Sequence, residues 1–204
     1  MDADAMLMLR VRDGEDAAFD LLMTRYQKPL QNFIYRMIPD AALAEELAQD
    51  VFVRIYLARK SYLPTAKFTT WLFQVATNTT LKHIRKHRRV LREADLPGAA
   101  GDAPLRELGV AEGASALDRI EQEELARLVR RALGRLPAKE KAALILRKYH
   151  DCSYQEIAET MKCSVGAIKT HIHRGKLRLR ELLLGMEKRL DATGAGRREA
   201  CDEL

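Results

Sequence analysis

Apolar residues recur at helical spacing along almost the whole of this chain, and no run alternates apolar and polar residues between hairpin turns. Such a pattern supplies helix faces and no sheet faces, so the expected fold is all-α. "FTTWLFQVATNTT", residues 68–80, is the one stretch whose Thr, Val and aromatic content suits a strand. Phe68, Trp71, Leu72, Val75 and Ala76 nevertheless fall at i, i+3, i+4, i+7 and i+8. That spacing makes the stretch a helix and assigns Trp71 to its apolar face.

The punctuation of the pattern predicts two helical domains. A short helix over 5–11 ends at "RDGED", where Asp13 is the expected cap of a long helix running to about Met37. Pro39 and Asp40 break that helix, and Asp40 is the expected cap of a third, from Ala41 to about Arg59. "KSYLPTAK" reads as a loop, and the helix beginning near Phe68 completes a bundle over residues 1–91. Residues 92–116 change composition to Ala, Gly and Pro with more acid than base, which predicts a flexible interdomain linker. Helical spacing returns over 117–190, with Pro137 in a first turn and two closing helices at 153–161 and 165 to about 190. The last residues, 191–204, read as a disordered tail.

Net charge narrows the partners. The 204 residues carry a formal +6 with both signs interspersed, which predicts a folded protein with positive patches, and nucleic acid ahead of an anionic membrane as the polyanion they meet. No apolar run approaches the roughly 20 residues of a membrane span, and "MDADAM" is acidic where a signal peptide is basic, so membrane insertion is not expected and a cytoplasmic location is. Cys152, Cys163 and Cys201 are too few for a disulfide framework. With His150, His171 and His173 they form no finger spacing, so neither a metal nor a cofactor is expected.

Residues 153–182, "SYQEIAETMKCSVGAIKTHIHRGKLRLREL", contain two adjacent helix starts. Ser153 with Glu156 is a capping-box pattern, and Ser164 can cap the next helix after a turn at Lys162 and Cys163. This is the layout of a helix-turn-helix. On its second helix Val165, Ile168, Ile172, Leu179 and Leu183 share the inward face, opposite Ile157, Ala158 and Met161. Lys169, Thr170, His173 and Arg174 then point outward, as donors suited to a DNA major groove.

The bundle offers two further surfaces. The helix from Phe68 ends in "KHIRKHRR", a cluster containing Lys82, Arg85, Lys86, Arg88 and Arg89. On the helix from Ala41, Leu43, Leu47, Val51, Phe52 and Ile55 form the inner arc. Glu45, Glu46, Gln49 and Asp50 lie opposite, around Val53, as an acidic face with an exposed apolar centre that fits a basic protein partner.

"AEELAQDVFVRIY", "FTTWLFQVATNTTLKHIRKHRR" and the segment from "LPAKEK" to "LRLREL" together resemble conserved regions 2 and 4 of bacterial extracytoplasmic-function sigma factors, group 4 of the sigma-70 family. The motifs stand in the family's order and cover nearly the whole chain apart from linker and tail. The resemblance implies a sigma-2 helix bundle and a sigma-4 helix-turn-helix domain, binding to core RNA polymerase through the beta-prime clamp helices and the beta flap, and direction of promoter-specific initiation. An anti-sigma factor that clamps both domains is a common partner in the family and is implied as a candidate here.

By motif position, the resemblance implies that Glu45, Glu46, Gln49, Asp50 and Val53 dock on core polymerase. It assigns Ser61, Tyr62 and Lys67 to a loop holding a base flipped from the melted nontemplate strand of the minus-10 element, and Asn78 to recognition of the same element. Lys82, Arg85, Lys86, Arg88 and Arg89 would follow the promoter backbone, where each neutralised phosphate releases counterions. Arg147, Ser164, Lys169, Thr170, His173 and Arg174 would face the minus-35 duplex. Lys169 and His173 stand where family members often have Arg and an aromatic, so the preferred sequence does not transfer. A dimeric helix-turn-helix regulator acting without polymerase is the competing expectation, although no coiled-coil seam is present to dimerise it. A nuclease would need carboxylates clustered for a metal or a nucleophile with a base, and the acids here lie on the docking face, so no enzyme is expected.

Overall fold

The helices of the first domain start and stop close to where the sequence pattern places them, with one departure at Asp13. The computed structural model describes the backbone of residues 2–94 and 127–202, and the side chains of 2–87 and 127–186. α1 is Ala3–Arg12, α2 Asp16–Met37, α3 Ala41–Leu57 and α4 Phe68–Ala94, with a 3-10 turn at Arg59–Ser61 between the last two. Asp40 caps α3 as expected, accepting from the Leu43 N–H at 3.0 Å. Asp13 does not cap α2: it closes α1, its N–H donating back into that helix, and Glu15 precedes α2 with no side-chain cap bond. Pro29 lies inside α2, where the missing N–H interrupts the ladder without ending the helix.

α1 to α4 pack around Leu22, Phe33 and Ile34 of α2, Val51 and Ile55 of α3, and Phe68, Leu72 and Ala76 of α4, all buried. Each large side chain contributes roughly 1.5–3 kcal/mol on burial. Trp71 sits half-buried against the rings of Tyr62 and Phe68, at 4.9 and 6.1 Å, which is the packing role its spacing predicts.

The second group contains α5, described over 127–134, then α6 Ala138–Tyr149, α7 Tyr154–Met161 and α8 Val165–Asp202. Ile145 and Leu146 of α6, Ile157 of α7, and Ile168 and Ile172 of α8 are buried together. α8 passes close to α6 at Gly175, where a Cβ would stand 2.8 Å from Leu144 Cδ1. One turn later Arg178 donates to Glu140 at 2.6 Å. Residues 191–202 continue α8, in place of the disordered tail expected. This stretch has no proline, and its Ala, Arg and Glu content favours helix despite Gly194 and Gly196. Of the expected linker at 92–116, residues 92–94 continue α4 and the rest lie outside the described residues.

The two groups share a seam. α7 lies along α4, and α6 touches the ends of α2 and α4. Gln74 donates to the Glu159 carbonyl at 2.9 Å, Thr160 to the Thr70 carbonyl at 3.5 Å, and Lys141 Nζ to the Met37 carbonyl at 2.9 Å. The His150 ring is wedged between Phe33 and Phe73, with centroids 5.8 and 4.2 Å away, and Arg36 stacks over Tyr149 at 4.0 Å. Lys141 is buried with its pKa pushed down to about 8 by loss of solvent. Thr70, Lys141 and Thr160 are buried polar residues and partners in these bonds, set beside apolar residues of both groups that form one continuous cluster.

Candidate nucleic-acid and protein-docking surfaces

The helix-turn-helix is built by side chains that satisfy exposed helix ends. Ser153 Oγ accepts from the Glu156 N–H at 3.2 Å while Glu156 accepts from the Ser153 N–H at 2.8 Å, forming the reciprocal box at the start of α7. α7 ends at Lys162, whose left-handed backbone, φ +50°, turns the chain, and Ser164 Oγ caps α8 through the Ala167 N–H at 3.2 Å. With Ile168 and Ile172 fixed inward, Lys169, Thr170, His173 and Arg174 are exposed. Thr170 also donates to the Gly166 carbonyl at 3.0 Å. Arg147, at the end of α6, is exposed and held beside α7 by the Cys152 carbonyl at 3.0 Å and by the Tyr154 ring at 5.4 Å. Burial pushes the Cys152 thiol up to about 11 and raises that of Cys163, so neither favours the reactive thiolate.

The second candidate DNA surface begins in the loop before α4. Ser61 is exposed and donates to the Ala58 carbonyl at 2.9 Å, and residues 63–67 are exposed. Tyr62 is only 4 % exposed, and its ring packs on Trp71. Lys67 Nζ lies 2.7 Å from Glu156 of α7. Asn78, Lys82, Arg85 and Lys86 fall at i, i+4, i+7 and i+8, and all are exposed, giving one stripe along α4. The backbone at Arg88 and Arg89 continues that helix, and their side chains lie outside those described. Beside the stripe the His83 and His87 rings stack at 6.3 Å, a pair the charge pattern did not single out.

A third surface lies on α2 and α3. Glu45, Glu46 and Gln49 are exposed, Asp50 is partly so and pairs with Arg54 at 2.9 Å, and Val53 is 55 % exposed. Of these, Gln49 and Val53 line a groove of about 610 Å³ whose apolar lining also includes Phe19, Met23, Phe52 and Leu57, with Asp16 and Asp20 as its acidic members. Phe19 meets Phe52 at 6.2 Å and Tyr56 at 5.1 Å, and Tyr56 donates to Asp16 at 2.9 Å on the rim. Sequence spacing on the α3 helix alone does not reveal the α2 wall of this groove. The available signal was a set of apolar residues beyond one helix face, including Leu21 and Met23.

A helix-turn-helix with an exposed basic face, joined to a bundle bearing a basic stripe and an acid-rimmed groove, defines a DNA-binding protein with a protein-docking face. Comparison with known proteins gives the class. Residues 22–90 match the sigma-70 region 2 family and residues 126–179 the family of sigma-70, region 4. The RNA polymerase sigma-H factor of Pseudomonas aeruginosa is 32% identical over 180 residues, covering 86% of this chain and 91% of the relative. The ECF RNA polymerase sigma factor SigW of Bacillus subtilis is 32% identical over 175 residues, covering 85% and 93%. Among solved structures, the Bartonella quintana sigma factor RpoE in complex with the anti-sigma factor NepR aligns with a TM-score of 0.63 at 24% identity, over 81% of this chain and 96% of that one. The chain belongs to the extracytoplasmic-function RNA polymerase sigma factors of the sigma-70 family, and its work is promoter-specific transcription initiation with RNA polymerase. No helix among the described residues is long and apolar enough to cross a membrane.

Proposed function

We propose that the protein is a two-point promoter reader carried by core RNA polymerase, and that catalysis belongs to the polymerase alone. Core polymerase docks on α3 through Glu45, Glu46, Gln49, Asp50 and Val53, beside the α2–α3 groove that Gln49 and Val53 line and that Asp16 and Asp20 make acidic. α8 reads the minus-35 duplex with Lys169, Thr170, His173 and Arg174, assisted by Arg147 and by the Ser164 helix end. Ser61, Lys67 and Asn78 hold the melted minus-10 nontemplate strand, and Lys82, Arg85, Lys86, Arg88 and Arg89 follow its phosphates. A captured base contributes roughly 1–3 kcal/mol, comparable to the cost of unpairing it, so strand capture biases opening without ATP. The carrying observation is the presence of exposed basic stripes on both α4 and α8 in a chain whose separate groove is apolar within an acidic rim. The protein acts in the cytoplasm, at the nucleoid when polymerase-bound. An anti-sigma factor is a candidate partner, supported by the complex formed by the Bartonella relative.

The seam gives this reading a mechanical requirement. Two elements about 25 base pairs apart are separated by about 85 Å at roughly 3.4 Å per base pair. A compact chain of this length has a radius of gyration near 17 Å on the usual scaling, about 2.2·N^0.38 Å. Reading both elements at once therefore requires α7 to leave α4.

The test is size-exclusion co-elution of the purified protein with bacterial core RNA polymerase, at salt high enough to suppress nonspecific pairing. Stoichiometric co-elution is expected. Failure to co-elute, with tight duplex binding by the free protein as a dimer, would establish the polymerase-independent regulator instead.

A further inference from the structure

α1 carries two carboxylates whose contacts lead to the start of α4. Asp2 Oδ2 accepts from the Phe68 N–H at 3.1 Å. The residue preceding α4 is Lys67, which has no side-chain oxygen to offer, so an N–H of the first turn is satisfied by a residue distant in sequence. A carboxylate at this end also suits the positive pole of the helix. Asp4 is only 8 % exposed and accepts from Arg25 and from the Tyr26 hydroxyl, while the Tyr26 ring rests on Phe68 at 5.5 Å. At the other end of the loop, Lys60 Nζ donates to the Arg12 carbonyl at 3.1 Å. α1 thus grips the loop at its entry and its exit. Between those grips residues 63–67 are exposed, and the Thr65 N–H donates to the Leu63 carbonyl at 2.9 Å.

We infer that α1 is the positioning element of the strand-capture loop and that Asp2 is a positioning residue for minus-10 recognition. The inference rests on the proposed role of the loop. Asp2 touches no DNA. By fixing the Phe68 N–H it sets the direction in which Lys67 leaves the helix and the width of the loop that must close around a flipped base. A loop held at both ends loses less conformational freedom on binding than one free to splay.

The experiment uses holoenzyme assembled from core polymerase and the full chain. Its probe is a fluorescent single-stranded DNA enriched by the wild-type holoenzyme from a randomised pool. Asp2→Ala is expected to weaken strand binding roughly fivefold to tenfold, the size of one lost helix cap. Asp2→Asn, whose amide oxygen can still accept, is expected to retain most of it. Co-elution with core polymerase and duplex binding through α8 should be unchanged in both. In the free protein, hydrogen exchange at the Phe68 amide should accelerate in Asp2→Ala and remain slow in Asp2→Asn. Unchanged exchange, or normal strand binding by Asp2→Ala where Lys67→Ala is defective, would overturn the positioning role. Loss of core binding together with strand binding in Asp2→Ala would make the residue a general folding contact and overturn it too. If Lys67→Ala and Asn78→Ala both bind the strand normally, the loop reading itself fails, and this inference with it.

Discussion

Glu156 serves two structures with one carboxylate: one oxygen accepts from the Ser153 N–H at 2.8 Å to complete the cap of α7, and the other lies 2.7 Å from Lys67 Nζ across the seam. The Lys67 contact and the Ser153 N–H hold its pKa down to about 2. Because the folded pKa is depressed, the resulting stability is present above about 4.5 and is lost as pH falls from there towards 2. Glu156→Gln keeps a side chain able to complete the box and removes the charge. A small fall in melting temperature is expected at low salt, shrinking as salt rises, because the lysine end is exposed. An equal fall at every salt concentration would assign the effect to the cap alone.

His150 makes the seam acid-sensitive. Burial against Phe33 and Phe73 lowers its pKa to about 4, Arg36 adds to the shift, and Asp151 opposes it. The imidazole is therefore harder to protonate in the folded chain, so its contribution is complete above about pH 6.5 and lost as pH falls through 4. The loss is at most about 3 kcal/mol. His150→Phe should flatten the wild-type decline in melting temperature between pH 6.5 and 4, and parallel curves would show that the imidazole is not the titrating group.

Lys162 holds a left-handed backbone at φ +50°, where a side chain crowds the following carbonyl. Lys162→Gly should raise stability by roughly 0.5–1 kcal/mol, the relief of strain exceeding the added freedom of the unfolded chain. The denaturant midpoint should rise with an unchanged slope.

On α8, Lys169 and Arg174 are exposed opposite buried Ile168 and Ile172. Lys169→Ala and Arg174→Ala should each weaken minus-35 duplex binding by holoenzyme. The slope of log affinity against log salt should drop by about 1 wherever the lost contact was to a phosphate. Affinity unchanged across salt would remove these residues from the duplex face.

On α3, Glu46→Lys with Asp50→Lys reverses two charges and also breaks the Asp50–Arg54 pair. Exposed pairs of this kind contribute at most about 1 kcal/mol to folding, so the protein should stay folded while co-elution with core polymerase is lost. Retained co-elution would move the docking face elsewhere.

The features legible in the sequence are those whose physics is local. Ser153, Glu156, Ser164 and Asp40 bond to backbone groups three residues away, and each cap is where the sequence places it. Asp13 misled because an acidic residue between two helices suits either end, and here it closes the first. The packing of Tyr62 on Trp71 was not legible, because periodicity does not specify which way a loop side chain points. The seam was not legible. Thr70 and Gln74 read as polar helix residues, and nothing near them in sequence announces Glu159 and Thr160 as partners. The groove lay between these cases: its α3 rim follows from one helix pattern, whereas its α2 wall depends on how two helices pack.

The setting of His150 also makes it a spectroscopic probe placed by the fold. A carbon-bound imidazole proton held between two phenyl rings experiences their ring currents, and its NMR signal should be displaced from those of His83, His87, His171 and His173. When the two halves separate, that displacement should collapse. One resonance, needing no label on DNA or polymerase, would then count the open and closed molecules in solution.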